Sequence, residues 1–368
     1  MKTILSKSGN ALTRTGLVAA FLATAGVAAV EQSAGAGGVV RCWGFNDYGQ
    51  CNTPTDLGTC SNVAGGRYHS IAIRSDGIVR CWGFNNYGQC YTPVDLGPCS
   101  RVAGGFYHTI ALRSDGAVRC WGYNYYGQCN TPADLGPCSS VAGGGFHTIA
   151  LRSDGGVRCW GWNADGQCST PVDLGTCSSV AAGLFHTITC RSDGGVRCWG
   201  RNGNGQCNTP ADLGPCSSVA AGSDHSIALT SDGGVRCWGF TGVGECNTPA
   251  DLGPCSSVAG GSVNTIAIRL DGTVRCWGTS TYVPCDTPAD LGACSSVAAG
   301  RGYIIAIQKL PCTGDLNYDN QVNGADLGVL LGQWATSGGT TGADINADGT
   351  VNGADLGLML GAWGPCPI

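Results

Sequence analysis

Short runs of alternating apolar and polar residues, cut by glycine-rich breaks, fill the chain from Val39 to Ile307 and return at a constant period of thirty-nine. The stretch from Val141 to Val180 shows one period. Val141-Ala142-Gly143 opens it, and His147 to Arg152 alternates as His-Thr-Ile-Ala-Leu-Arg. Ser153-Asp154-Gly155 predicts a tight turn and Val157-Arg158-Cys159-Trp160 a second strand. A loop follows from Gly166-Gln167 through Pro171 to Asp173-Leu174-Gly175. Alternation suits a strand, whose successive side chains point to opposite faces, and Asp-Gly or Gly-Gly supplies the turn between two strands. No stretch before residue 320 keeps a helical period for three turns, which excludes the helical repeat arrays.

Cys-Trp-Gly recurs at Cys42, Cys81, Cys120, Cys159, Cys198, Cys237 and Cys276. A unit this short cannot bury both of its own faces, so the copies must pack on one another. The first copy lacks its opening segment. The last, from Val297 to Ile307, lacks its Arg-Cys-Trp, and the two fragments together make one unit. The predicted fold is all-β over residues 38–311: a seven-bladed propeller of four-stranded blades with a split closing blade, residues 38–62 sealing against 297–307. Closure removes the sheet edges that a linear solenoid would have to cap.

The repeat Val-Ala-Gly-Gly-x-x-His-Thr-Ile-Ala-Leu-Arg-Ser-Asp-Gly-x-Val-x-Cys-Trp-Gly-x-Asn-x-x-Gly-Gln resembles the RCC1 (regulator of chromosome condensation) repeat over residues 38–310. Its short period is similar to the bacterial branch that includes the β-lactamase inhibitor protein II. The resemblance implies a seven-bladed propeller, often with a split blade.

Lys2, Lys7 and Arg14 precede an apolar stretch from Gly16 to Val30 with small residues at Val27-Ala28-Ala29, the pattern of a secretory signal peptide over residues 1–29. That run is short and no second one follows, so no membrane span is expected after its removal. Losing those three basic residues leaves 17 basic against 25 acidic, a formal charge of −8. No basic patch remains to neutralise phosphates, and nucleic acid is not an expected partner.

Export makes a disulfide framework the natural reading of the 24 cysteines. Each unit holds three, spaced nine, nine and twenty-one residues apart, as in Cys120, Cys129 and Cys138. Seven links nine residues apart are expected. The second-to-third pairing, Cys129 to Cys138, is preferred because Pro132 and Gly136 can turn the chain between them. Cys120 to Cys129 is the alternative; otherwise the first cysteine is a small thiol buried between blades. Cys190 is an extra and is expected to stay unpaired. Zinc is disfavoured because no Cys-x₂-Cys occurs.

All five histidines (His69, His108, His147, His186, His225) occupy one repeat position, filled by Asn264 and Tyr303 in the last two units. Such repetition points to a structural role, a buried side chain bonded to neighbouring backbone. Variation concentrates elsewhere. The residue after Trp-Gly runs Phe45, Phe84, Tyr123, Trp162, Arg201, Phe240, Thr279. The residue before the histidine position runs Tyr68, Tyr107, Phe146, Phe185, Asp224, Val263. One further back come Arg67, Phe106, Gly145, Leu184, Ser223 and Ser262, with Gly302 last in both series. Tyr48, Tyr87 and Tyr126 add loop rings. Variable loops on a rigid scaffold carry recognition. Phe45, Phe84, Phe106, Tyr107, Tyr123, Tyr126, Trp162 and Phe240 are therefore the candidate surface for a protein or glycan ligand. The plainer alternative is that these rings fill gaps between blades.

Residues 312–368 hold no Lys or Arg and six Asp. Two segments in the same register repeat one oxygen-rich loop. Asp315, Asn317, Asp319, Gln321, Asn323 and Asp326 form one ligand set; Asp344, Asn346, Asp348, Thr350, Asn352 and Asp355 form the other. Oxygen ligands at loop positions 1, 3, 5, 7, 9 and 12 meet the demand of a hard cation, and two Ca²⁺ ions are expected. Val322 and Val351 sit where each loop needs an apolar anchor. The duplicated loop and short helix resemble the type I dockerin, which implies docking onto a cohesin-like domain or a cell-surface component. Asn320 departs from the glycine usual at its position. Gly324-Ala325 and Gly353-Ala354 are small where many dockerins carry hydroxyls, which points to a divergent cohesin or another partner. Helix glycines cost about 1 kcal/mol each, so metal is expected to drive folding. Cys312 and Cys366 bracket the module and are expected to staple it.

The function expected is that of an exported, calcium-dependent attachment and binding protein, not an enzyme. The alternative is an extracellular polysaccharide-active hydrolase or lyase tethered by the dockerin. Glycoside hydrolysis needs two placed carboxylates. Asp47, Asp165, Asp224, Glu245 and Asp286 are the propeller acids outside the repeat's own Ser-Asp-Gly and Asp-Leu-Gly positions. Guanine-nucleotide exchange follows from the family name alone, and export argues against it.

Overall fold

The structure is a computed structural model that describes residues 37–278, 285–310, 312–317, 321–338, 342–346 and 348–366. The expected signal peptide, Thr279 and Asp319 lie outside the described residues.

Each period folds as three antiparallel strands. In the first, Cys60–Gly65, His69–Arg74 and Val79–Gly83 run from the axis outward. The middle strand is buried on both faces up to Arg74, because a neighbouring blade covers each side. The described residues contain seven such sheets. The last is composite. Cys294–Ala299 and Tyr303–Gln308 take Val39–Gly44 as outer strand, from Val39 opposite Gln308 to Gly44 opposite Tyr303. The split blade is present, but only residues 39–44 seal it; Cys60 already begins the next sheet.

Four strands are expected of each blade and three form. After Trp82-Gly83 the chain's backbone donors go to side chains instead of a ladder. Asn85 Oδ1 accepts from the Cys90 N–H at 2.8 Å and Gln89 Oε1 from the Tyr87 N–H at 3.0 Å. A loop whose donors are satisfied in this way does not extend into a fourth strand.

The core lies between blades. Ile71, Ile73 and Val79 of one sheet pack against Cys99, Val102, Ala111 and Trp121 of the next, and Leu96 is buried where the chain crosses between them. Each fully buried isoleucine contributes about 1.5–3 kcal/mol. The ring closes on itself: a Cβ on Gly65 would lie 2.6 Å from the carbonyl oxygen of Ala299, and the Tyr303 hydroxyl donates to backbone carbonyl oxygen at His69.

This crossing overturns the preferred cysteine pairing. Cys237 is bonded to Cys246 and Cys276 to Cys285, first to second, and the sulfurs of Cys81 and Cys90 and of Cys198 and Cys207 lie 2.8 and 2.7 Å apart. The third cysteine of each unit starts the inner strand of the following blade, so the Pro and Gly between second and third carry the chain away from its partner. Cys99, Cys138 and their equivalents are the thiols buried between blades, the role expected of the first cysteine. Cys190 is buried, its thiol on the Cys216 carbonyl at 3.2 Å.

The histidines bond across blades to hydroxyls rather than to backbone: His69 Nε2 meets Thr109 Oγ1 at 3.1 Å, and His147 meets Thr187 at 3.3 Å. In the tail, helices α1 (Gly324–Gly332) and α2 (Gly353–Gly361) flank a core of Val322, Leu330, Ala343, Val351 and Met359. Cys312 and Cys366 are bonded as expected, beside a pairing of Gln321–Val322 with Gly364–Pro365.

Candidate functional site

The variable positions gather on one rim because of a glycine. Gly83 leaves the outer strand at φ +101°, and a Cβ there would meet the Tyr68 carbonyl oxygen at 2.7 Å. Only glycine fits such a turn. The Phe84 N–H then bonds the Tyr68 carbonyl at 2.9 Å, which sets both rings side by side. Tyr123 with Tyr107 and Trp162 with Phe146 repeat the bond at 2.8 Å.

Ring follows ring without a gap over this rim. Phe45 and Tyr48 have centroids 6.2 Å apart, Tyr48 and Phe84 5.2 Å, Phe84 and Tyr107 5.7 Å. Tyr107 and Tyr87 follow at 5.1 Å, Tyr87 and Tyr123 at 5.0 Å, Tyr126 and Phe146 at 5.4 Å, Tyr126 and Trp162 at 4.6 Å. Phe106 joins through Phe146 at 5.6 Å. Seven of the eight expected surface residues are thus brought together. Phe240 is not: Arg201, over the Phe185 ring at 5.6 Å, and Asp224 stand where rings would bridge to it. Tyr48, Tyr87 and Tyr125 are well exposed, and the seven candidate rings are half-buried among them. Edge-to-face contacts of this kind hold rings rigidly in place.

Inside the crescent lies an axial cavity of about 480 Å³. Its wall includes the Gly-Gly or Ala-Gly ends of the inner strands together with Arg67, Phe106, Leu184, Asp224, Phe240 and Arg301. The last member of the Arg67 series is corrected from Gly302 to Arg301: the middle strand starts at Tyr303, and Arg301 stands one full repeat after Ser262. The constant spacing is the signal that finds it. Burial pushes the Asp224 carboxyl up, opposed by Arg201, and its Oδ1 accepts from Gln206 Nε2 at 3.3 Å.

Of the acids considered for hydrolysis, Glu245 has its carboxylate taken up by the repeat's own turn. Glu245 is fully buried in the place of the repeat's glutamine and accepts the Val243 N–H at 3.0 Å. Asp165 donates its own backbone N–H to Gln167 at 3.1 Å in the corresponding turn.

In the tail, Asp344, Asn346 and Asp348 turn their oxygens inward on the loop. Asp344 Oδ2 accepts from Gly349 at 2.8 Å, Asn346 Oδ1 from Asp348 at 3.0 Å and Asp348 Oδ1 from Thr350 at 3.0 Å. An all-oxygen donor set of carboxylate, amide and carbonyl fits Ca²⁺. Asp355 and Asp326 close capping boxes on Asn352 and Asn323 and also accept two N–H groups each from the loop start, at Ile345 and Asn346 and at Leu316 and Asn317. These backbone donors hold the Asp355 carboxyl below the usual carboxylate range. Each loop is thereby tied to its helix through the residue expected as twelfth ligand.

The regulator of chromosome condensation (RCC1) repeat matches residues 60–89, 99–128, 138–167, 177–206 and 216–245, and the dockerin type I domain matches 313–360. Among solved structures the chain is similar to Prp20p of Saccharomyces cerevisiae, described with its binding to Gsp1p and histones, at TM-score 0.64 and 18% identity over 75% of this chain and 92% of that one. Human WBSCR16 follows at 0.61 and 18%, over 73% and 98%. The ectodomain of the receptor kinase CR4 from Physcomitrella patens gives 0.56 and 22%, over 68% and 73%. At these identities the likeness shows the fold. No curated protein sequence matches.

Proposed function

We infer that this chain, an RCC1-repeat propeller followed by a type I dockerin domain, is an exported attachment and binding protein rather than an enzyme. The dockerin implies attachment to a cohesin-type partner, and type I dockerins bind calcium. Two ions are assigned here, one on Asp344, Asn346, Asp348, Thr350, Asn352 and Asp355, the other on the equivalent set from Asp315 to Asp326. Calcium supplies the charge that lets these carboxylates lie together. The propeller's aromatic rim is the recognition surface for a protein or glycan. The observation that carries this reading is the unbroken ring path from Phe45 to Trp162.

Export is supported by disulfides in the propeller and tail, and no helix among the described residues is long and apolar enough to cross a membrane. The test has two arms. Full-length protein is passed over immobilised type I cohesin with Ca²⁺ or with chelator, and retention should require calcium. The same protein is incubated with a panel of soluble polysaccharides, with binding and release of reducing ends measured together. Binding without release is expected. Sugar release abolished by Asp224→Asn or Asp165→Asn would establish the enzymatic alternative instead.

A further inference from the structure

Arg67 and Arg301 stand side by side at the mouth of the axial cavity, their backbones joined by the Arg301 N–H on the Arg67 carbonyl at 3.2 Å. They differ from most of the strand arginines, which are neutralised in exposed pairs such as Arg80 with Asp56 and Arg119 with Asp95. The partners of Arg67 and Arg301 are uncharged. Arg67 Nη1 donates to the Tyr107 hydroxyl at 2.8 Å and its guanidinium lies 4.8 Å from the Phe106 centroid and 5.1 Å from that of Tyr68. Its Nε is buried and makes no hydrogen bond. Arg301 Nη1 donates to the Tyr68 hydroxyl at 2.6 Å, over the same ring. Each contact uses one of a guanidinium's five N–H donors. Both groups are fixed in place with their charge and most of their donors left over.

The rest of the lining is of another kind. Asn204, Ser223, Ser262 and Asp224 present hydroxyl, amide and carboxylate groups to the same space, with Ser223 Oγ and Ser262 Oγ 3.5 Å apart. Two guanidinium groups so placed suit a carboxylate, which they can grip through paired N–H bonds. An acidic side chain from a protein would satisfy the arginines and leave the small polar groups dehydrated without partners. A sugar acid carries both a carboxylate and several hydroxyls. The cavity, at about 480 Å³, lies within the range of small-molecule sites.

We propose that the axial cavity binds a uronic acid unit of an acidic polysaccharide, with Arg67 and Arg301 on its carboxylate and the Asn204, Ser223, Ser262 and Asp224 groups on its hydroxyls. The assignment rests on the reading of the aromatic rim as a ligand-binding face and adds the ligand class. Asp224 sets the direction: it accepts from a hydroxyl and repels a carboxylate, so the acid group points to the arginines.

Titration calorimetry on the full calcium-loaded chain tests it with four probes: tetragalacturonate, its methyl ester, cellotetraose and tetraglutamate. Tetragalacturonate should bind, and esterification should weaken binding about tenfold or more, the loss expected for charge-assisted hydrogen bonds. Arg301 is exposed on a bend, so Arg301→Gln should keep the melting temperature and lose about tenfold in affinity, with Arg301→Lys losing less. Sodium chloride should weaken binding to the wild type. No heat with tetragalacturonate, equal affinity for its ester, or equal affinity for tetraglutamate overturns the proposal. Failure of the rim reads differently: tetragalacturonate binding unchanged by a joint Tyr126→Ala and Trp162→Ala substitution leaves the cavity site and removes the rim. Cellotetraose binding that this double variant abolishes, without preference for the acid, keeps the rim and removes the uronate site.

Discussion

His69 Nε2 donates to Thr109 Oγ1 across the boundary between two blades, 3.1 Å apart with both side chains fully buried. A second bond fixes the direction. The single hydroxyl proton of Thr109 goes to the Gln89 carbonyl at 2.8 Å, so the imidazole must bring the other. His108 with Thr148, His147 with Thr187, His186 with Ser226 and His225 with Thr265 repeat the arrangement. Burial holds these imidazoles neutral, with pKa values of about 3 for His69, His147 and His186 and about 4 for His108 and His225.

That row of histidines makes the propeller acid-labile. A folded pKa below the unfolded value near 6.5 means that the unfolded chain takes up protons which the folded chain refuses. Stability is therefore full above about pH 6.5 and falls as the pH drops toward the folded values, by up to about 1.4 kcal/mol per pH unit for each histidine. The melting temperature should fall between pH 7 and pH 5. His147→Asn, which installs the side chain that Asn264 already supplies at this repeat position, should reduce that slope. A melting temperature flat over this window contradicts the assignment.

Removing the hydroxyl is harsher than replacing the imidazole. Thr187→Val leaves both the His147 Nε2–H and the Gln167 carbonyl without their buried partner. The expected loss is about 1–3 kcal/mol in guanidinium unfolding. A loss within error of zero would show that the bond is not made.

Much of this fold is legible in the sequence. Alternation and the Cys-Trp-Gly spacing are local signals, and they place the strands and the split blade correctly. What fails depends on where the chain goes next. The fourth strand is absent because Asn85 and Gln89 side chains capture backbone donors. The cysteine pairing reverses because Cys99 belongs to the blade after Cys90, a fact of connection that nine-residue spacing does not reveal. Phe240 reads as one of the rings, yet the neighbouring positions Arg201 and Asp224 break the path to it. Arg301 escapes through a one-residue slip at the least regular repeat.

Each first cysteine should be linked to its second, Cys42 to Cys51 through Cys276 to Cys285, with Cys312 to Cys366 in the tail. Cys60, Cys99, Cys138, Cys177, Cys216, Cys255 and Cys294 should be thiols until the protein is unfolded. Non-reducing peptide mapping of exported protein that joined Cys129 to Cys138 would refute this pattern.

For the tail, calorimetry of residues 312–368 should count two Ca²⁺ ions, and chelator should remove helical signal. The segment has its own core and disulfide, so it can be studied alone. Asp344→Ala and Asp315→Ala should each delete one site. Asn352→Ala, which removes a helix cap whose Oδ1 accepts the Ala354 N–H at 2.8 Å, should cost about 0.5–2 kcal/mol.

The aromatic rim is the centre of the functional reading, and one comparison tests it most directly. Wild-type protein and a Tyr87→Ala, Tyr126→Ala, Trp162→Ala variant are measured by affinity electrophoresis in gels containing each polysaccharide of the panel. A melting curve is recorded for each protein. At least one polysaccharide should retard the wild type. The variant should melt as a folded propeller yet lose about tenfold or more in affinity, the cost of removing hot-spot rings. Retardation unchanged in a folded variant would contradict the assignment of this rim as the recognition surface.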